Sequence, residues 1–150
     1  MAGALLLLSC GCGGGPSTGF TLSNASVQPN FICPAGATTP YALQATVASH
    51  NSTTGTVTVK SASAAMTVAA VSGGWLQKVG YRYDAGNLRF SPDHVAAGAG
   101  TTLTVTIPSA CTARKTGGQL SYADYSVTLT FVTSAGTFKI ESRNRHRIVA

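Results

Sequence analysis

The chain has 150 residues and is 44% hydrophobic, which is enough for one packed domain and too apolar for a disordered polymer. Only 9% of its residues are charged, against about 25% in ordinary soluble domains, and 15 Ser and 20 Thr stand in their place. The net charge of +6 sets ten Lys and Arg against Asp84, Asp93, Asp124 and Glu141, with the cations mostly scattered singly until the C-terminus. That scatter leaves no compact basic patch of the kind nucleic-acid readers use.

Residues 4–8 are apolar but far short of the ~20 needed to span a membrane. Leu7, Leu8, Ser9 and Cys10 follow one another and lead directly into Gly11, Cys12, Gly13, Gly14, Gly15 and Pro16. A leucine three places before a cysteine, a small residue just before it and glycines after it resemble the lipobox of bacterial lipoproteins. The resemblance implies that residues 1–9 are a signal peptide and that Cys10 is acylated. It also implies that residues 10–19 are a lipidated, glycine-rich tether, and that the protein is exported and held on a membrane. Cys12 fits the acceptor position less well, because Ser9 stands three places before it. The nine residues ahead of Cys10 carry no Lys or Arg and are short against the ~15–30 of a secretory signal. Either the start lies upstream, or the run is a poor signal.

Beyond the tether the dominant period is two. Tyr41, Leu43, Ala45 and Val47 alternate with Ala42, Gln44, Thr46 and Ala48, which predicts a half-buried strand. Val57 and Val59 alternate with threonines in the same way, and Leu88 and Phe90 flank Arg89. Residues 62–70 are alanine-rich, but Val and Thr within them favour strand over a short helix. Residues 78–83 are a further, weaker strand. Leu103, Val105 and Ile107 alternate with Thr102, Thr104 and Thr106, and Tyr125, Val127, Leu129 and Phe131 with Ser126, Thr128 and Thr130. Residues 133–136 join the last of these to 137–142 as a hairpin. Turn residues at 51–55, 72–74, 84–87 and 96–100 separate the runs.

Seven or eight short strands, with no window of helical period, predict an all-β sandwich or barrel. Phe90, Ser91 and Pro92 lead through a glycine loop to residues 102–106, then to Tyr122, Ala123, Asp124, Tyr125, Ser126 and Val127, and to the final hairpin. From Phe20 to Ile148 this pattern resembles the immunoglobulin-like domains of bacterial surface proteins. The resemblance implies an immunoglobulin-like antiparallel β-sandwich over residues 20–150, with Tyr122 or Tyr125 as its corner tyrosine. Cys33 and Cys111, 78 positions apart, are expected to form a disulfide in an exported protein. Loop-closure entropy would make that bond worth about 4–5 kcal/mol. The pair lies outside the strand centres, unlike the usual inter-sheet bridge.

Two patterns are candidates for binding. Arg143, Arg145 and Arg147, with Lys139 and Glu141, place five charges at period two, which in one strand is one face. Such a stripe would grip an anionic polymer or lipid headgroups, or else guard a last strand against edge-to-edge pairing. Trp75, Tyr81 and Tyr83 lie within nine residues and could stack against sugar rings, although core packing is the commoner fate of aromatics. Asp93 and His94 lie near Ser91, but adjacency alone does not make a triad. No glycine-rich phosphate loop opens a helix, and His50, His94 and His146 show no metal-ligand spacing. The expectation is a membrane-anchored, extracytoplasmic, non-catalytic module for binding, adhesion or structure, with no cofactor or nucleic-acid partner and a cell-surface protein or glycan as its ligand. A carbohydrate-binding module is the alternative reading and a hydrolase the third.

Overall fold

The structure is a computed structural model that describes residues 19–34, 39–111 and 120–150. The leader, Cys10, Cys12 and most of the glycine tract lie outside these residues. The alternating sequence produces two sheets. The first has the order β1 (Phe20–Val27), β3 (Pro40–Asn51), β8 (Gly100–Ala110) and β6 (Arg89–Ser91). The second has the order β2 (Asn30–Ile32), β11 (His146–Val149), β9 (Tyr122–Thr133), β4 (Val57–Ser72) and β5 (Arg82–Ala85). β10 (Gly136–Glu141) pairs with the other half of β9, and β7 (His94–Val95) with the start of β4.

In chain order these positions reproduce the ABED and CFG sheets of an immunoglobulin-like sandwich, with β5 added beside the C strand. Eleven strand segments are described where seven or eight were expected, and the surplus is short: β2 and β6 have 3 residues each and β7 has 2. The core lies between the sheets. Leu43, Val47, Leu103, Val105 and Ile107 face Val127, Leu129, Phe131 and Val68, all of them 1% exposed or less. Phe20 closes one side, edge-on to Phe138 with ring centroids 5.1 Å apart.

The first stretch of chain changes sheets. β1 pairs with β3 through a bulge between Ser23 and Ser26, where Asn24 adopts a positive φ of 52°. The chain then crosses to run parallel to β11 as β2. Asn144 holds this crossing. The Val27 N–H donates to its Oδ1 (3.0 Å), and its Nδ2 donates to the Val27 carbonyl (2.7 Å).

Cys33 follows β2 and Cys111 follows β8, and the two are joined in a disulfide with Cα atoms 5.7 Å apart. The expected disulfide is therefore present, and it staples the sheets at the end where Pro40 pairs with Ala110. The opposite end is where Phe20 pairs with Asn51. There the fully buried Asn51 amide donates to the carbonyls of Gly55 and Val95 and accepts from Thr53. Gly19, at the end of the described body nearest the leader, accepts hydrogen bonds from the Ser52 N–H and hydroxyl. The sandwich thus has two poles, one where the chain enters and one at the disulfide.

Candidate binding cleft at the disulfide pole

β6 pairs with β8 only along Thr104–Thr106, so β8 runs on past it unaccompanied on that side. A pocket of about 270 Å³ opens there. Ser109 continues the inward row of Leu103, Val105 and Ile107 and replaces its apolar side chains with a hydroxyl. Tyr125 does the same on β9, where it follows Phe131, Leu129 and Val127 in the inward row with a phenol. Met66 of β4, 2% exposed, forms the floor. Tyr83 of β5, and Gln77 and Tyr81 from the loop before it, form the outer wall.

Inside the cleft the Tyr125 hydroxyl donates to Gln77 Oε1. Burial pushes the Tyr125 phenol up, with the nearby Trp75 indole acting in the opposite direction. Trp75 itself is 9% exposed, and its Nε1 is buried without a well-formed hydrogen bond. It therefore belongs to the core behind the cleft and is no exposed stacking platform, because the turn at 73–74 folds its loop back over β9. Gly73 permits that turn with φ 69°, and a Cβ there would meet Ser121 Cβ at 2.9 Å. Tyr81 and Tyr83, 49% and 39% exposed, do share one face of the cleft, as their spacing predicted. Gln77, Ser109 and Tyr125 join them. Only tertiary structure brings these together, and Tyr125 read from sequence as a core or corner residue. Tyr125, one of the two proposed corner tyrosines, bonds the Gln77 side chain, and the Arg147 guanidinium carbon lies over the ring of the other, Tyr122, 4.1 Å from the ring centroid.

The basic stripe is not one strand. β10 ends at Glu141 and β11 begins at His146, and both pair with the same side of β9. The break arises where Asn144 turns in to the Val27 backbone. Arg143 and Arg145 are exposed in that connection. Arg147 on β11 makes a bidentate pair with Asp124, at 2.6 and 2.9 Å, and hydrogen bonding to Arg147 holds the Asp124 carboxyl below the usual range. Arg147 is thus neutralised in place. β11 is flanked by β2 and β9, so its charges guard no free edge.

Behind the crossing strand, His146 is fully buried. Its Nδ1 donates to the Gln28 carbonyl at 2.7 Å, which leaves Nε2 to accept from the Tyr41 hydroxyl at 2.7 Å. Phe31 stacks flat on Tyr41, 3.9 Å between centroids. Asp93 and His94 bond each other on the surface at 2.8 Å, and among the described residues no hydroxyl is in hydrogen-bond contact with His94. Among the described residues no three His, Cys, Asp or Glu side chains gather as a metal site. No described helix is long and apolar enough to cross a membrane.

No protein-family model and no curated protein matches the sequence. Among solved structures, a PapD-like domain of human CEP192 aligns over 99% of this chain and 95% of its own, at 14% identity and TM-score 0.35. AggA, the major subunit of aggregative adherence fimbriae type I from Escherichia coli, aligns over 86% and 93%, at 10% identity and TM-score 0.35. A β-N-acetylglucosaminidase from Vibrio harveyi aligns over 84% of this chain but 18% of its own, at 13% identity and TM-score 0.26. At these similarities nothing about ligand or activity carries over to this chain.

Proposed function

We propose that this chain is a lipid-tethered, extracytoplasmic binding module without catalytic activity, acylated at Cys10 and displayed on a bacterial membrane through residues 10–19. The observation that carries the reading is the polarity of the sandwich. The described body begins at Gly19 on one pole, and the tyrosine cleft opens toward the other. A tether attached to the first pole would present the cleft away from the membrane. The Cys33–Cys111 disulfide supports an oxidising compartment, where such bonds form and persist. The diacylglycerol of a lipoprotein, usually with a further acyl chain, supplies the two or more chains that stable anchoring needs.

The test is the non-reduced intact mass of protein from the native membrane fraction, alongside a Cys10→Ser variant. The expected mass is that of a chain starting at Cys10, plus acyl groups, minus two hydrogens, and the variant is expected to leave the membrane fraction. An unlipidated chain with free thiols at 33 and 111 would overturn the reading.

A further inference from the structure

The residues that form the cleft carry no formal charge. Its walls are the phenols of Tyr81, Tyr83 and Tyr125, the Gln77 amide, the Ser109 hydroxyl and the ring of Pro108. A charged ligand entering there would lose water without gaining a counter-ion. An uncharged ligand meets a better match. Tyr81 and Tyr83 offer half-exposed ring faces, while the Gln77 NH₂ and the Tyr81 and Tyr83 hydroxyls make no side-chain hydrogen bond among the described residues. The Tyr125 bond to Gln77 Oε1 fixes the amide so that its NH₂ is the group left to donate. The site therefore asks for a ligand that alternates C–H surface with hydroxyls. We infer that the Gln77–Tyr81–Tyr83 cleft binds an uncharged sugar ring, held by stacking on the two exposed tyrosines and by hydrogen bonds to Gln77. This rests on the reading of the chain as a binding module and names its ligand class.

Size and backbone chemistry narrow the choice further. At about 270 Å³ the pocket sits at the lower end of small-molecule sites, which suits one ring or the end of a chain and not a buried polymer. A peptide adding as a strand along the unaccompanied part of β8 would meet Pro108. The Cys111 N–H bonds back to Thr39 of the β3 side, and backbone alternation turns residue 108 the other way, toward the open edge. Proline has no N–H to give there, so a ladder at that edge lacks a donor.

The experiment is ¹H–¹⁵N NMR titration of the disulfide-bonded chain. The probes are the methyl glycosides of glucose, galactose, mannose and N-acetylglucosamine, the cello- and chito-trioses, and galacturonate as a charged control. At least one neutral saccharide is expected to give saturable shifts at Gln77, Tyr81 and Tyr83 in the millimolar range. Tyr83→Ala and Tyr81→Ala should each weaken it several-fold to about ten-fold, as the loss of one aromatic contact implies. Arg143→Ala should leave it unchanged. Both tyrosines are surface residues, so these variants keep the core intact. Absence of saturable shifts with every neutral probe, shifts outside the cleft, unaltered binding by both tyrosine variants, or preference for galacturonate would each overturn the inference. A chain that is lipidated but binds no sugar would lose this assignment alone.

Discussion

His146 shows how one buried side chain sets a pH dependence. Burial disfavours its imidazolium form, and the Gln28 carbonyl only partly offsets that, so its pKa in the folded chain lies below the ordinary 6.5. Between that lowered value and 6.5 the unfolded chain binds a proton that the folded chain refuses. The stability involved is complete above about pH 6.5 and is lost as pH falls below it. Asp84, Asp93 and Asp124 are also lowered, by hydrogen bonds to Arg82, His94 and Arg147, but their contribution fades only near and below the ordinary carboxylate value of 3.8. The melting temperature should therefore drop between pH 7 and 5, and the drop should flatten in His146→Gln; an equally steep drop in the variant would assign it elsewhere. The alkaline side has the opposite sign. Burial pushes the Tyr41 phenol up to about 12, against the Ser109 hydroxyl, and raises Tyr125 as well. Stability is then whole below about pH 10 and falls as pH rises toward 12. Tyr41→Phe should remove part of that alkaline loss. It should also cost about 1–3 kcal/mol at neutral pH in a denaturant titration, because His146 Nε2 is left buried without its donor.

The elements divide by how local their causes are. The alternations at residues 41–47, 102–107 and 125–131 lie within β3, β8 and β9, because a strand with one face in the core writes its period directly into the chain. The alanine-rich run at 62–70 lies in the 16-residue β4, where Ala62, Ala64, Met66 and Val68 face inward and Ser63, Ala65, Thr67 and Ala69 face the other way. β2 was not legible. Three residues have no period, and its parallel pairing with β11 depends on partners more than 100 positions away. The separate strand β11 was equally hidden, since the break at 142–145 that sets it apart from β10 depends on Asn144 finding the Val27 backbone. β2 has a short ladder, so the disulfide at its end matters more than its length alone implies. Replacing Cys33 and Cys111 together with serine should lower unfolding free energy by about 2–5 kcal/mol. In hydrogen exchange, protection should fall first in β2 and the facing residues of β11, with the β4–β9 ladder holding longest. A uniform loss across all strands would mean that the bond constrains only the unfolded chain.

At the scale of the whole molecule, the cleft depends on where a strand stops. Tyr81 and Tyr83 were legible from their spacing, but Gln77, Ser109 and Tyr125 join them where β6, which begins only at Arg89 opposite Thr106, leaves the end of β8 open. No local pattern marks that, and Trp75, the most conspicuous aromatic in the chain, packs behind the cleft. The same geometry sets how the body should stand on a membrane. β3 runs from one pole to the other in 12 residues, about 36 Å at ~3.3 Å per step. A glycine-rich tether over residues 11–19 reaches at most about 30 Å when fully extended and averages about 15–18 Å. With the proposed anchor at Cys10, the entry pole would be held near the bilayer while the cleft would project beyond it. The measurement is fluorescence quenching on vesicles that contain a quencher lipid, with the lipidated chain labelled at one introduced cysteine in a Cys12→Ser background. Gly55→Cys labels the entry pole, where an added Cβ meets nothing within 4 Å, and Val79→Cys labels the cleft pole at a residue 61% exposed. The label at 55 should be quenched strongly and the label at 79 weakly. Equal quenching would lay the sandwich on its side. The exposed Arg143 and Arg145 would then be the cations to test against anionic lipid, because Arg147 is already committed to Asp124 and the entry pole no longer sets the orientation.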